Sequence, residues 1–247
     1  AIILYLLLRE TPDSNHTTTS ETSFSMRQEF QRLLEVCQHP QTLWISIIGF
    51  CFWAPMAIFA ENLGPSYLTT LTGKSQYLAH NMLISTWIGV ATGGPIIGWL
   101  SGYIKNRKIP IMLSLTLSMI ASSYLLSAGS SINEYLLQCL LFIFGFGASA
   151  QCVTFGLVGD HQPKHLLGTA VGLNNLAVIA GGTTLLPFCS WIIETLGNSH
   201  WHQDMLIYPL YNYQIALSLM PTVSLVGIII CHFKIIETNA KTAHTHH

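Results

Sequence analysis

LWISIIGFCFWAPMAIFAENLGPSYL, residues 43–68, carries no charge until Glu61, which then sits among apolar neighbours just ahead of a Gly-Pro pair. Such a run belongs either to a soluble core or to a membrane, and the spacing of the other charges decides which. Residues 35–61, 74–105, 108–134, 134–160, 164–194 and 204–234 each enclose 25 to 30 positions without Asp, Glu, Lys or Arg. A helix needs roughly 20 apolar residues to cross the hydrocarbon core. Six intervals in series therefore predict six spanning helices. A soluble protein buries one helix this apolar, but not six at near-regular spacing. Composition agrees: half of the 247 residues are apolar and 9% are charged, against about 25% in soluble domains. With a net charge of −1 and no basic stripe, no nucleic acid partner is expected. The expected fold class is all-α: a polytopic membrane protein whose six-helix transmembrane bundle sits in the lipid bilayer.

The spans are expected at 43–70, 79–104, 110–128, 135–159, 167–193 and 205–233, so that 43–233 forms the bundle. Short loops force consecutive helices to run antiparallel. With the segment before Leu43 placed in the cytoplasm, Arg9, Arg27, Arg32, Lys105, Arg107, Lys108, Lys164, Lys234 and Lys241 all fall inside, and Lys74 alone falls outside. By the positive-inside rule both ends of the chain are then cytoplasmic. The apolar start AIILYLLL, residues 1–8, is too short to span, at roughly 12 Å if helical. It lacks the basic start and cleavage site of a signal peptide. It reads as the end of a preceding transmembrane helix, which makes this chain the C-terminal part of a longer protein. Residues 9–42 read as a cytoplasmic linker. Its first part is polar and rich in Thr and Ser. An amphipathic helix follows at about 24–38, with Ser25 and Gln28 as a capping box. That helix lies on the inner leaflet or packs on the base of the bundle. Residues 234–247 form a cytoplasmic tail.

Small residues let helices approach closely in lipid. Gly94, Gly98 and Gly102 repeat every four residues in the second span, and Gly89 and Gly93 form another such pair. The fifth span carries Ala170, Ala177, Ala180, Gly181 and Gly182. Tight crossings are expected along these faces.

A charge at membrane depth costs about 2.5–3.5 kcal/mol on insertion scales and usually faces a cavity or a partner. Glu61 falls past the midplane, towards the outer side. Gly64-Pro65 should weaken or break the helix behind it, since Pro lacks a backbone donor. Broken helices beside polar groups line pathways in transporters. Two roles are open. Glu61 and Asn62 face a water-filled cavity and bind a solute or a proton, or Glu61 satisfies freed backbone groups near the interface. Gln151 in the fourth span and Asn174 and Asn175 in the fifth fall at a common depth below the midplane. They either bind a polar solute or join helices through hydrogen bonds worth about 1 kcal/mol or less. Trp53 and Trp87 line a cavity in the first reading and face lipid or core in the second.

Nothing points to an enzyme. Lipase-type GxSxG, zincin HExxH and P-loop motifs are absent. His161 and His165 flank Pro163 in a loop. His200, His202 and Asp204 follow the fifth span without further ligands at metal-site spacing. The six cysteines form no CxxC, and Cys is a small apolar residue by default. No catalytic residue, metal or cofactor is expected.

Six spans with both ends inside, preceded by a linker with an amphipathic helix, resemble the C-terminal half of a major facilitator superfamily transporter over nearly the whole chain. The most specific local match is GWLSGYIKNRKIP, residues 98–110. Gly98 fits the first Gly of that superfamily's loop motif, and Lys105, Arg107 and Lys108 fit its basic cluster. Gly102 stands where the motif has an Asp, so this loop lacks the acid of a charge lock. FAENLGPSYL (59–68) and GTAVGLNNLAVIAGG (168–182) are similar to the seventh and eleventh helices of bacterial members, including phagosomal-type nutrient carriers of intracellular bacteria. The resemblance implies a secondary active transporter of the bacterial inner membrane that moves a small polar organic solute by alternating access. Proton symport through Glu61 is implied with it. So is a missing N-terminal six-helix half, without which this half does not transport. The alternative is a non-transporting six-helix scaffold or binding protein.

Overall fold

Consecutive helices return on themselves, as the short loops require, but most of the closest packing joins non-consecutive spans: the first with the fifth, the second with the fourth, and the sixth with the third and the first. A computed structural model describes residues 26–202 and 205–238. The expected helix end at 1–8, the linker up to and including Ser25, Asp204 and the tail from 239 onwards lie outside the described residues. The chain forms α1 (Met26–Gln38), α2 (Pro40–Ile58), a π turn (Phe59–Leu63), α3 (Gly64–Thr72), α4 (Gln76–Tyr103), α5 (Lys108–Ser127) and α6 (Glu134–Ala148). Then come α7 (Gln151–His161), a 3-10 turn (Lys164–Leu166), α8 (Leu167–Leu196), β1 (His200–His202), β2 (Met205–Ile207), α9 (Leu210–Leu217) and α10 (Leu219–Lys234). Joined end to end, they give six helices long and apolar enough to cross a membrane among the described residues. These spans are Pro40–Thr72, Gln76–Tyr103, Lys108–Ser127, Glu134–His161, Lys164–Leu196 and Leu210–Lys234. The all-α six-helix membrane bundle is thus the observed fold, with one small addition. β1 and β2 pair as an antiparallel ribbon, with Trp201 opposite Leu206. The sixth helix accordingly starts at Leu210 and not at 205. Pro disfavours a helical conformation in the residue before it, so the helix begins just after Pro209, whose own backbone is extended at ψ 147.

Backbone contact sets the crossings. Where the second span meets the fourth, a Cβ on Gly145 would lie 2.0 Å from the Thr86 carbonyl oxygen, and one on Gly89 would lie 2.2 Å from that of Phe142. Neither helix tolerates a side chain there. The first and fifth spans touch in the same way, with Gly181 against Ala54 and Gly182 against Ala57, each at 2.7 Å from an added Cβ. Gly94, Gly98 and Gly102 behave otherwise. An added Cβ at any of them meets nothing within 4 Å. The tight packing expected along that stripe belongs to Gly89 and Gly93, which fall on the face of α4 turned to α6.

Burial orders the spans. The most apolar window of the first span is 72% buried and that of the fifth only 22%, so the first runs through the interior and the fifth forms an outer wall. Away from the basic loops, the core is an edge-to-face chain of aromatic rings. Phe59 contacts Phe144 at 5.8 Å and Tyr67 at 6.0 Å, and Tyr67 contacts Tyr213 at 6.5 Å. Towards the basic loops, Ile45, Ile48, Phe52, Ile111, Leu115 and Leu157 fill the core. At the near end, α1 buries Val36 and leaves Phe30 and Leu34 exposed.

Gly145→Leu is expected to lower the thermal midpoint of the detergent-solubilised protein, at a cost of about 1–3 kcal/mol for overpacking. Gly98→Leu is expected to leave the midpoint unchanged. Equal midpoints for the two variants would show that backbone contact does not set the crossing of spans two and four.

Candidate functional site

In a regular helix the Pro65 ring would strike the Glu61 carbonyl, and Pro65 has no N–H to offer it. The chain widens here and does not break. Residues 59–63 take one π turn, closed by the Gly64 N–H donating to the Phe59 carbonyl. The Asn62 Nδ2 donates to the Ala57 carbonyl at 2.7 Å. A Cβ on Gly64 would stand 2.6 Å from the Phe59 oxygen, so only glycine closes the turn. The helix resumes as α3, where fully buried Tyr67 donates from its hydroxyl to the Leu125 carbonyl at 2.7 Å. The break expected behind Glu61 is therefore a bulge within one continuous span. Such single π turns recur at functional sites. Here the bulge leaves Phe59 and Ala60 buried and turns Glu61 and Asn62 outward.

Outward leads into a groove of ≈ 350 Å³ between the first and fifth spans. The first span contributes Trp53, Ala57, Glu61 and Asn62. The fifth contributes Ile179, Gly182, Thr183 and Leu186. Glu61 lies 21 positions past Pro40 and 11 before Thr72 (61 − 40 and 72 − 61), well away from the basic loops. It has no hydrogen-bond or ion-pair partner among the described residues. Lys74, at the same end, is taken by Glu134.

The other candidates are distributed unevenly. Trp87 does not line the groove; its ring stands 6.5 Å from that of Trp53, at 60°. Asn175 is exposed and shares a helix face with Ile179, Gly182 and Leu186, so it continues the groove wall towards the basic loops. Asn174 points the other way. It is fully buried and donates from Nδ2 to Thr154 Oγ1 at 3.0 Å. Gln151 is half-buried at the start of α7 and outside the groove. Sequence reading overlooked Ala57, Ile179, Gly182, Thr183 and Leu186. A signal was present, because 53-57-61 and 175-179-182-186 are both helical stripes that end on polar groups.

At the opposite end the basic loop is locked after all, by acids from elsewhere. Arg107 donates from Nε and Nη2 to the Asp160 carboxylate, the second contact at 3.2 Å. Its guanidinium lies over Gly156, where a Cβ would come within 2.5 Å. Thr238 Oγ1 donates to the same Asp160 at 2.8 Å. The Glu237 carboxylate accepts the backbone N–H groups of Arg107 and Lys108 at 3.0 and 2.8 Å, a favourable place for an anion at the start of α5. Lys108 Nζ donates to the carbonyls of His232 and Ile235 at 2.7 and 3.2 Å. The missing acid at Gly102 is thus supplied by the ends of the fourth and sixth spans. Lys105, Gly98 and Gly102 take no part in these contacts.

Comparison with known proteins adds independent findings. The family described as Major Facilitator Superfamily matches residues 1–187. A D-galactonate transporter of Escherichia coli O6:H1 is 26% identical over 141 residues, which is 54% of this chain and 32% of that protein. A solved structure, the inward open conformation of the xylose transporter XylE from E. coli, superposes with a TM-score of 0.58 at 17% identity. The match covers 77% of this chain and 46% of that one, and is a likeness of fold. The chain spans less than half the length of these relatives.

Asp160→Ala is expected to destabilise the protein by about 2 kcal/mol, because it strands a half-buried Arg107 and removes charge-assisted hydrogen bonds. Glu237→Ala should cost about 1 kcal/mol, the usual loss for a helix cap. Chemical unfolding in detergent measures both. An Asp160→Ala midpoint equal to wild type would make the contact incidental.

Proposed function

Because this chain belongs to the major facilitator superfamily of membrane transporters, we propose that it supplies the C-terminal half of a secondary active transporter moving a small polar organic solute by alternating access. The observation that carries this reading is the groove. An exposed, unpartnered carboxylate on an interrupted helix at membrane depth is costly unless a pathway uses it. Trp53, Glu61, Asn62 and Asn175 contact the solute in this reading. Trp87 supports Trp53, Asn174 joins helices through Thr154, and Gln151 stands outside the groove. An upstream six-helix half closes the open side of the groove, and the greater length of both relatives leaves room for one. The names of those relatives favour a polar organic solute.

The basic end faces the cytoplasm of a bacterial inner membrane, since Arg107, Lys108, Lys164 and Lys234 gather there and Lys74 lies at the other end. The contacts of Arg107, Asp160 and Glu237 hold that end together while the bundle rocks. Glu61 couples transport to protons by accepting one from one side and releasing it to the other. Co-transport is the form expected from sequence; the charge of the solute decides whether the proton travels with it or against it. A non-transporting scaffold accounts for the sealed contact of Asn174 but not for an unpartnered acid in an open groove.

Glu61→Gln in the full-length carrier, reconstituted in proteoliposomes, is expected to abolish the part of uptake driven by a pH gradient while the thermal midpoint holds. A gradient response equal to wild type would remove the proton role. Uptake unaffected by Glu61→Ala together with Trp53→Ala would remove the groove from the pathway.

A further inference from the structure

We infer that the groove between the first and fifth spans receives the cationic end of its solute, a protonated amine seated on the Glu61 carboxylate with its carbon skeleton against Trp53. This inference rests on the transport reading and names the substrate class that reading leaves open.

The polar atoms of the groove wall are arranged for a donor. Glu61 offers a carboxylate with no partner among the described residues. The amide nitrogen of Asn62 is drawn back to the Ala57 carbonyl at 2.7 Å, so its oxygen is the freer group. The Thr183 hydroxyl donates to the Ala180 carbonyl at 3.2 Å, which leaves its lone pairs as its offer. The second Asn62 N–H and the Trp53 indole N–H are the remaining side-chain donors of the lining. Among the described residues no Lys, Arg or His lines the groove. Lys74, the nearest basic residue in sequence, is occupied by Glu134.

Charge then decides among solutes. An anion entering this wall meets Glu61 with no cation among the described lining residues to offset it. A neutral polyol also makes charge-assisted hydrogen bonds to the carboxylate but brings no charge to offset it. An ammonium makes the same bonds and adds the Coulomb attraction of opposite charges. The indole face adds an attraction that only a cation can use. Ala57, Ile179, Gly182 and Leu186 complete a floor suited to carbon. The ammonium and a proton claim the same carboxylate, and no other titratable side chain faces it from α2, the π turn or α8. The two therefore bind in alternation, so the solute is exchanged for a proton and not carried with it. This reverses the co-transport expected from sequence.

Two trios of probes with matched skeletons test this on the purified full-length protein by thermal shift and by competition. One trio is N-methyl-D-glucamine, D-glucitol and D-gluconate; the other is 2-phenylethylamine, 2-phenylethanol and phenylacetate. The amine is expected to bind roughly tenfold or more tighter than its alcohol in at least one trio. Glu61→Gln should erase that preference, Glu61→Asp should keep it, and Trp53→Ala should weaken it. The inference is overturned if the alcohol or the acid leads in both trios, if no probe binds, or if the order survives Glu61→Gln. Gradient-driven uptake of an alcohol or acid that leads would leave the transport reading standing and remove only the cation.

Discussion

Within hydrocarbon no water receives a stray backbone group, so every N–H and C=O must find its partner inside the protein. That rule shapes the first span. Pro65 denies the helix one donor. In water the chain could fray; here it must re-pair, and the cheapest repair is one extra residue in the turn. The π turn, the reach of the Asn62 amide back to Ala57 and the bare backbone at Gly64 belong to one repair. The extra residue also shifts the helix phase, which is why Phe59 stays in the core while Glu61 faces the groove. The position of the acid is a consequence of backbone accounting. The fourth span is interrupted in the opposite sense: where α6 gives way to α7 the backbone tightens, with the Ala150 N–H donating to the Gly147 carbonyl and the Val153 N–H to the Ala150 carbonyl.

Lipid supplies no hydrophobic push between helices, so close contact has to do the holding. Glycine at the crossings gives that contact and also fixes what lies beside it. Gly182 meets Ala57 on the floor of the groove, with an added Cβ at 2.7 Å. The two spans touch there, one helical turn from Trp53 and one from Glu61 along the first span. Packing and site are set by the same pair of helix faces.

The six-span fold was legible because its signal repeats. Intervals of 25 to 30 uncharged positions are long compared with the error on any boundary. Single boundaries were less legible: the sixth helix waits for Pro209, and a ribbon occupies its expected start. Face assignments suffered most. The spacing of Gly94, Gly98 and Gly102 reveals a bare stripe but not the absence of a neighbour on it. Asn174 and Asn175 share a depth, yet adjacent helical residues point about 100° apart, and only coordinates show that one is sealed and the other open. The lock at the basic end was hidden for another reason. Its acids lie 53 and 130 positions from Arg107, beyond any motif read along the chain. The spacing of Gly156 and Asp160, one helical turn apart, is the only local trace of it.

The first span is tied at its start and widened near its other end. Near its start, Gln41 donates to the Lys234 carbonyl at 2.9 Å and accepts from the Ile236 N–H at 3.0 Å. The sixth span's end is bound in turn to Arg107, Lys108 and Asp160. Rotating the start of the first span therefore strains several charged hydrogen bonds at once. Near its other end stands the π turn, where the Gly64 N–H reaches back to the Phe59 carbonyl and Pro65 offers no N–H. The charges thus tie one end of the span to its neighbours, and the proline shapes the other into the turn that bears Glu61.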